Sequence, residues 1–260
     1  MPAPEIRAVA DNLVEALRFF GRARQDAEIC DLPGVTLIFC GLNYAAFNAA
    51  LLTRQVDDDA AELERLVQLS AAHFEARKLR WTLWICDDFL SGRLRRQAPL
   101  ILDRWGLRLL TQAPGMYAAH LLPPDRALPS VEVRRVDDER TRTAFAEIMS
   151  TAFEIPHSVS ASIYGSERAW CSGFQGYVGF ENGRAVTSAA STMTTDAIGL
   201  YSVATLPQHR RRGFAEAIMR QVLERAATQP TVLQSTSSGL SLYEKMGYRT
   251  VTDFAVYIAD

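Results

Sequence analysis

The spacing of hydrophobic and polar residues is clearest in the C-terminal half of the chain, where helical and strand periods alternate. An apolar face at helical spacing predicts a helix over 211–228. That face consists of Ile218, Met219, Val222, Leu223 and Ala226. Helices are also predicted from Asp137 or Asp138 as the cap to about 152, over 158–170, and over 240–246 ending at Gly247. Strands are predicted over 131–135, 174–180, 185–192, 198–205, 231–235, 248–252 and 254–258.

The N-terminal half shows a similar order of elements with weaker periodicity. Helices are predicted over 5–20, 60–77 and 93–105, and strands over 28–30, 35–40, 47–52, 80–86, 107–111 and 116–121. Residues 102–108 align without a gap with residues 243–249, and both segments carry a glycine at the same position. This match predicts an internal duplication in which the two halves share one strand order.

The segment that joins the halves disfavours regular structure. Residues 122–130 contain prolines at positions 123, 124 and 129, and proline lacks a backbone donor. A chain of 260 residues is long enough for two hydrophobic cores. We therefore predict two domains, residues 1–122 and residues 131–260.

Composition and charge narrow the possible partners. A net charge of −2 gives no broad electrostatic attraction to nucleic acid or to an anionic membrane, so neither is expected as a partner. No apolar run approaches the ~20 residues of a membrane span, and we expect no signal peptide. The cysteines lack zinc spacing and form no close pair, which predicts free thiols, no metal site and a cytoplasmic protein. They are Cys30, Cys40, Cys86 and Cys171.

The most informative stretch is residues 200–216, where a predicted strand leads through a basic, glycine-containing turn into a helix. The first N–H groups of a helix have no internal partners, and the helix dipole places positive charge there. Gly213 lets the backbone approach a ligand closely, and Arg210, Arg211 and Arg212 add charge. The amides of residues 211–216 are therefore expected to hold an anion such as a pyrophosphate.

Two motifs resemble those of the GNAT superfamily of N-acyltransferases. Arg210-x-x-Gly213-x-Ala215 resembles the family's Q/R-x-x-G-x-G/A signature, and residues 241–248 resemble its L-Y-x-x-x-G-F segment. The motifs stand in the family's order, separated by a helix and a strand. The resemblance implies an α+β fold of two tandem GNAT-like domains, each a mixed, mostly antiparallel sheet flanked by helices. It implies acetyl-CoA as the co-substrate and no metal.

The resemblance also implies roles for particular residues. The backbone of Val203, Ala204 and Thr205 would bind the pantetheine arm and the acetyl carbonyl, and Tyr243 would protonate the departing thiolate. Thr236 stands where the family often has an asparagine that touches the coenzyme. The expected coenzyme-binding residues at the turn are Arg210, Arg211, Arg212, Gly213, Phe214, Ala215 and Glu216.

Two further points concern the general base and the N-terminal half. Neither predicted strand beside the motif carries a carboxylate, so the base stays open among Asp196, Tyr201, Glu154, His157 and water. In the N-terminal half, residues 57–59 are three aspartates where the glycine turn belongs, and the position matching Tyr243 is a leucine. We expect this half to be a degenerate copy that binds no coenzyme.

The sequence thus predicts an enzyme that transfers acetyl from acetyl-CoA to a primary amine, by direct attack in a ternary complex. The resemblance to tandem proteins favours a small-molecule amine as the acceptor. One alternative is a non-catalytic acyl-CoA sensor or interaction module. Another is a nucleic-acid-binding protein that uses the turn at 210–212, which the acidic balance disfavours. The acyl chain length, the contribution of the N-terminal half to the acceptor pocket and the oligomeric state stay open.

Overall fold

The computed structural model describes residues 2–224 and 229–259. The helices in these ranges are α1 (Pro4–Leu17), α2 (Ala60–Glu75), α3 (Gly92–Asp103), α4 (Glu139–Phe153), α5 (His157–Tyr164), α6 (Phe214–Glu224) and α7 (Leu240–Lys245). The strands are β1 (Glu28–Leu32), β2 (Val35–Phe39), β3 (Ala49–Leu52), β4 (Thr82–Cys86), β5 (Leu107–Ala118), β6 (Glu132–Arg135), β7 (Phe174–Glu181), β8 (Arg184–Met193), β9 (Ile198–Thr205), β10 (Thr231–Gln234) and β11 (Arg249–Ala259). Ala226 and the predicted end of the helix over 211–228 lie outside the described residues.

The described strands form one sheet in the order β1-β2-β3-β4-β11-β5-β10-β9-β8-β7-β6. The last strand of the N-terminal half, β5, lies between β11 and β10. The last strand of the C-terminal half, β11, lies between β4 and β5. The two halves have therefore exchanged their last strands, and this exchange joins them into a single sheet.

Strands β1 to β4 of the N-terminal half follow the same order as β7 to β10 of the C-terminal half, which has β6 as an additional edge strand. In the N-terminal half, β1, β2 and β3 are antiparallel and β3 runs parallel to β4. In the C-terminal half, β6 to β9 are antiparallel and β9 runs parallel to β10. The shared order agrees with a duplication, and the expected α+β class is confirmed. The division into domains of 1–122 and 131–260 stays a prediction, because the sheet continues without a break across that boundary.

The prediction of two short terminal strands in each half is wrong. The segments 107–111 and 116–121 form the single strand β5, and 248–252 and 254–258 form the single strand β11. The two long strands pair with each other from Arg249↔Tyr117 to Ala259↔Leu107. Two register shifts in this ladder, between Thr250/Thr252 and Val256/Tyr257, absorb the breaks in the hydrophobic pattern.

Other predicted bounds also differ. The predicted helix over 5–20 ends at Leu17, and the one over 158–170 consists of α5 and a 3-10 turn at Glu167–Trp170. Ser166 separates these two pieces because it is extended, with φ −69° and ψ 123°. The helix predicted from 211 begins at Phe214, because two preceding residues adopt positive φ. The cap of α4 is Asp138, whose carboxylate accepts a hydrogen bond from the Thr141 amide at 2.7 Å.

Helices cover both faces of the sheet in the C-terminal half. On β8, Ala189 packs with Ile218 of α6 and with Leu240 of α7, whereas Ala190 packs with Phe145 of α4 and Ile163 of α5. Neighbouring strand residues point to opposite faces, so α6 and α7 lie on one face and α4 and α5 on the other. No helix within the described ranges is both long and apolar enough to cross a membrane.

A buried asparagine on α1 connects the two halves. Asn12 is fully buried, and its Nδ2 donates to the carbonyl oxygens of Thr192 at 3.2 Å and Ala197 at 3.0 Å. Its Oδ1 accepts a hydrogen bond from the Tyr201 hydroxyl at 2.8 Å. A side chain on Gly199 would collide with the Asn12 amide. This network fixes α1 of the N-terminal half against the β8–β9 hairpin of the C-terminal half.

Replacing Asn12 with alanine is expected to lower the free energy of unfolding by about 2–3 kcal/mol, because buried polar groups lose their partners. Denaturant unfolding measures this change. Gln97→Ala, at an exposed position on α3, is the control and should stay within about 0.5 kcal/mol of the wild type. Equal stabilities for the two variants would show that the network contributes nothing.

Candidate active site

The parallel strands β9 and β10 separate soon after they meet. They pair only at Ile198↔Thr231 and Gly199↔Val232. Beyond Gly199, β9 continues to Thr205 along β8. In contrast, the chain after β10 stays with β5, where the Ser235 amide donates to the Pro114 carbonyl at 2.8 Å. Within the described ranges, the outer edge of β9 beyond Gly199 is therefore open to a ligand.

A bulge lies in the open part of β9. The pairing of β9 with β8 shifts from Ser188↔Ala204 to Ala190↔Tyr201, so that two residues of β9 face one residue of β8. Ser202 lies in this bulge with φ 50°, and its carbonyl accepts from Ser188 Oγ at 3.0 Å. A bulge of this kind turns backbone groups away from the ladder. The bulge contains Val203 and directly precedes Ala204. The backbone of both residues is expected to bind pantetheine.

The turn between β9 and α6 curls tightly because two residues adopt left-handed conformations. Arg211 has φ 62° and Gly213 has φ 92°. The first hydrogen bond of α6 runs from the Ala217 amide to the Gly213 carbonyl at 3.0 Å. The amides of residues 214–216 come before it in the chain. They have no intrahelical acceptors. The turn therefore presents a row of N–H donors at the positive end of the helix dipole, which suits an anion.

The three arginines of this turn have different surroundings. Arg210 donates through Nε to the Thr205 carbonyl at 3.1 Å and through Nη2 to the Ala152 carbonyl at 3.5 Å. Arg212 forms an ion pair with Glu181, and its guanidinium lies over the Phe214 ring. These two side chains hold the shape of the turn.

Arg211 is exposed and has no ion-pair partner among the described residues. It is therefore the arginine of the turn that is free to contact a ligand. Glu181, the last residue of β7, forms the ion pair with Arg212, and nothing in the sequence marks it as part of this site.

The side chains of the first helical turn point into the protein. Phe214 is buried against Val131 and Val186. Glu216 is also buried, and its Oε1 pairs with Arg220 Nη2 at 2.7 Å. At these two positions only the backbone amide is available to a ligand.

Tyr243 lies on α7 and is partly buried in the cluster that contains Leu200, with Val203 packed against the same cluster. Its ring meets the Tyr248 ring edge-on, with centroids 6.0 Å apart. Burial raises the pKa of Tyr243 to about 12. The phenol is therefore protonated at neutral pH and can donate a proton, and no described residue hydrogen bonds to its hydroxyl.

Thr236, the other residue near α7 that was expected to contact the coenzyme, is exposed in the loop before that helix. Its Oγ1 lies 3.0 Å from Ser238 Oγ.

The structure narrows the candidates for a general base. Tyr201 is unsuitable, because burial raises the pKa of its phenol well above the usual value and its hydroxyl bonds to Asn12. Asp196 is exposed in the turn before β9, six residues and so roughly 20 Å along the chain from the bulge. Glu154 is exposed at the end of α4 and His157 at the start of α5, two and five residues along the chain from Ala152, whose carbonyl accepts from Arg210. They stay open as candidates.

In the N-terminal half, the space between β3 and β4 that corresponds to the gap between β9 and β10 is closed. Beyond β3 and β4 the chain forms a further bridge between Val56 and Leu90, in which the Val56 amide donates to the Phe89 carbonyl at 2.7 Å. All three residues are buried. The carboxylate of Asp59 accepts from the amides of residues 61 and 62 at the start of α2, at 2.9 and 3.3 Å. The strands are therefore bridged, and a carboxylate already occupies the helix amides.

Comparison with known proteins shows what this chain is similar to. Residues 172–250 match the family model described as an acetyltransferase (GNAT) domain. A GCN5-related N-acetyltransferase from Kribbella flavida is 17% identical with a TM-score of 0.71, covering 98% of this chain and 95% of that one. A tandem GNAT protein from the clavulanic acid biosynthesis pathway is 11% identical with a TM-score of 0.56, covering 98% and 93%. These likenesses show the fold, and no curated protein matches the sequence.

The raised pKa of Tyr243 predicts a late ionisation. An exposed tyrosine forms phenolate near pH 10, whereas the contribution of Tyr243 should emerge only above about pH 11. Subtracting the ultraviolet titration of Tyr243→Phe from that of the wild type isolates this contribution, with a free tyrosine amide as the reference. A difference spectrum that rises together with the reference would show that the phenol is not shielded from water.

Proposed function

We propose that this chain, whose C-terminal half contains a GNAT acetyltransferase domain, transfers the acetyl group of acetyl-CoA to the primary amine of a small molecule. The observation that carries the proposal is the coincidence of two features. One is the open edge of β9, and the other is the row of free amides at the start of α6. Over its described residues, 2–122, the N-terminal half has the strands that correspond to β7–β10 and neither feature.

The residues at this site fit coenzyme A. The amides of residues 214–216 and the Arg211 guanidinium are suited to the diphosphate, which is doubly anionic. The open edge of β9 offers backbone donors and acceptors to the amides of the pantetheine arm. When bound, acetyl-CoA supplies an acetyl group activated as a thioester. An amide at the bulge that donates to the thioester oxygen would stabilise the charge that develops there, by about 3 kcal/mol in comparable sites.

Tyr243 is the proposed general acid. The departing thiolate needs a proton, and the phenol retains its proton at neutral pH because burial raises its pKa to about 12. Direct attack by the amine is favoured over attack by either of the two buried thiols. Burial raises the pKa of both Cys40 and Cys86 to about 11, so that their thiols stay protonated.

The N-terminal half lies on the side of the bulge that faces α4 and α5. Tyr164 of α5 lies beside Ser202 in the bulge, and it packs against Phe19, Phe20 and Phe47 of the N-terminal half. These contacts support a role for that half in shaping the acceptor pocket. A small-molecule acceptor is supported by the similar fold of the tandem GNAT protein from the clavulanic acid biosynthesis pathway.

The cysteines bear on the compartment in which the protein works. All four are free thiols, which fits a reducing compartment, and we propose the cytoplasm.

The test of the function is the release of free CoA thiol from acetyl-CoA in the presence of a panel of primary amines. Release that depends on the amine is expected from the wild type. Gly213→Ala should abolish it, because Gly213 has φ 92° and an added Cβ would lie 3.1 Å from Pro129 Cδ. Gly173→Ala is the matched control, since a Cβ there meets no atom within 4 Å. Coenzyme binding without release by any amine would favour the sensor.

Removing the Tyr243 hydroxyl should affect turnover more than coenzyme binding. In Tyr243→Phe, kcat is expected to fall about a hundredfold, with a smaller rise in KM for acetyl-CoA. Tyr117→Phe, whose ring lies under Arg249 on the central strands, serves as the control. Steady-state kinetics at several pH values measures the effect, and an unchanged kcat for Tyr243→Phe would remove the phenol from the mechanism.

A further inference from the structure

The segment between the two halves runs along the outer surface of α6 and α7. The Leu122 amide donates to the carbonyl of Met246, just after α7, at 2.9 Å. Asp125 lies 3.9 Å from Lys245 of α7. Further on, Leu128 packs against the buried cluster formed with Phe214 at the start of α6. The linker, residues 119–130, thus contacts both helices that flank the proposed coenzyme site.

This path brings a fourth guanidinium to the turn. Nη2 of Arg126 lies 3.4 Å from the position that a Cβ on Gly213 would occupy, and Pro129 Cδ lies 3.1 Å from the same point. The absence of a side chain at Gly213 therefore lets Arg126 approach the backbone directly before α6. The sequence motif gives no indication of this contact, because Arg126 precedes Gly213 by 87 positions.

The carboxylates around the turn already have partners. Glu181 pairs with Arg212, Glu216 with Arg220, and Asp125 with Lys245. Among the described residues, neither Arg126 nor Arg211 has an ion-pair partner. Two uncompensated guanidinium groups therefore lie beside the same helix N-terminus.

This arrangement is electrostatically unfavourable in the free protein. The start of a helix carries roughly half a positive charge, which repels a guanidinium held next to it. A phosphate bound at the amides of α6 reverses the sign of the interaction, and arginine is well suited to bind it. The geometry therefore selects for an anion at this position.

We propose that Arg126 of the linker binds a phosphate group of coenzyme A, so that the segment joining the halves is part of the coenzyme site. This inference rests on the proposed function. It gives the linker a role beyond connection, because the path of residues 119–130 along α6 determines where the Arg126 guanidinium lies.

Isothermal titration calorimetry of the full chain with acetyl-CoA tests the proposal. Arg126→Gln removes the charge, Arg126→Lys retains it, and Arg96→Gln makes the same charge change on α3 of the N-terminal half. We expect Arg126→Gln to bind about tenfold more weakly, with Arg126→Lys between it and the wild type. Arg96→Gln should match the wild type. The loss should shrink as the salt concentration rises, and thermal unfolding confirms that each variant is folded.

A second titration with 3′-dephospho-CoA identifies the phosphate. If Arg126→Gln loses affinity for acetyl-CoA alone, Arg126 is assigned to the 3′-phosphate. If the variant loses affinity equally for both ligands, Arg126 is assigned to the diphosphate. An Arg126→Gln affinity equal to that of the wild type at low salt overturns the proposal while leaving the proposed function intact. A wild-type chain that binds no acetyl-CoA contradicts both.

Discussion

The antiparallel pairing of β5 with β11 determines how the rest of the molecule is arranged. Each of these strands belongs to one half and completes the sheet of the other. The pairing also affects the site, because β5 lies along β10 on the side away from β9 and bonds to the chain beyond it through Pro114. β10 follows β5 and leaves β9 after Gly199. The exchange of strands between the halves thus helps to open the cleft in one of them.

The two halves show how corresponding strands can leave the start of the following helix in two different surroundings. In the C-terminal half, left-handed residues at 211 and 213 expose helix amides beside an open strand edge. In the N-terminal half, the Asp59 carboxylate binds the amides of α2, and the bridge from Val56 to Leu90 closes the space between the strands. The charge of one side chain and one extra bridge separate a turn with free helix amides beside an open strand edge from an ordinary helix cap.

Much of the local structure could be predicted from the sequence because it depends on neighbouring residues. The bounds of β9, the Asp138 cap and the turn at Gly247 follow from periodicity and capping chemistry. The exchange of last strands could not be predicted, since alternation of apolar residues shows that a strand is half-buried without naming its partner. The sequence therefore predicts two strands each for β5 and β11, because it does not show that the two pair with each other along their length.

The backbone of the turn before α6 could be predicted from the sequence, but the directions of its side chains could not. The turn before α6 can be predicted because its glycine and the free amides of the helix start are local features. The directions of the three arginines depend on residues far away in the chain, such as Glu181 and the Ala152 carbonyl. The bulge at Ser202 needs no glycine, and the approach of Arg126 depends on the path of the linker. No spacing rule within one motif contains this information.

Hydrogen–deuterium exchange with and without acetyl-CoA measures most directly whether the α6 amides hold the coenzyme. Bound coenzyme should slow exchange in peptides covering residues 203–205 and 211–216, because their amides gain acceptors. Peptides covering residues 57–62, the equivalent turn of the N-terminal half, should exchange at the same rate in both conditions. Unchanged exchange at 211–216, or protection at 57–62 instead, would contradict the placement of the coenzyme at the start of α6.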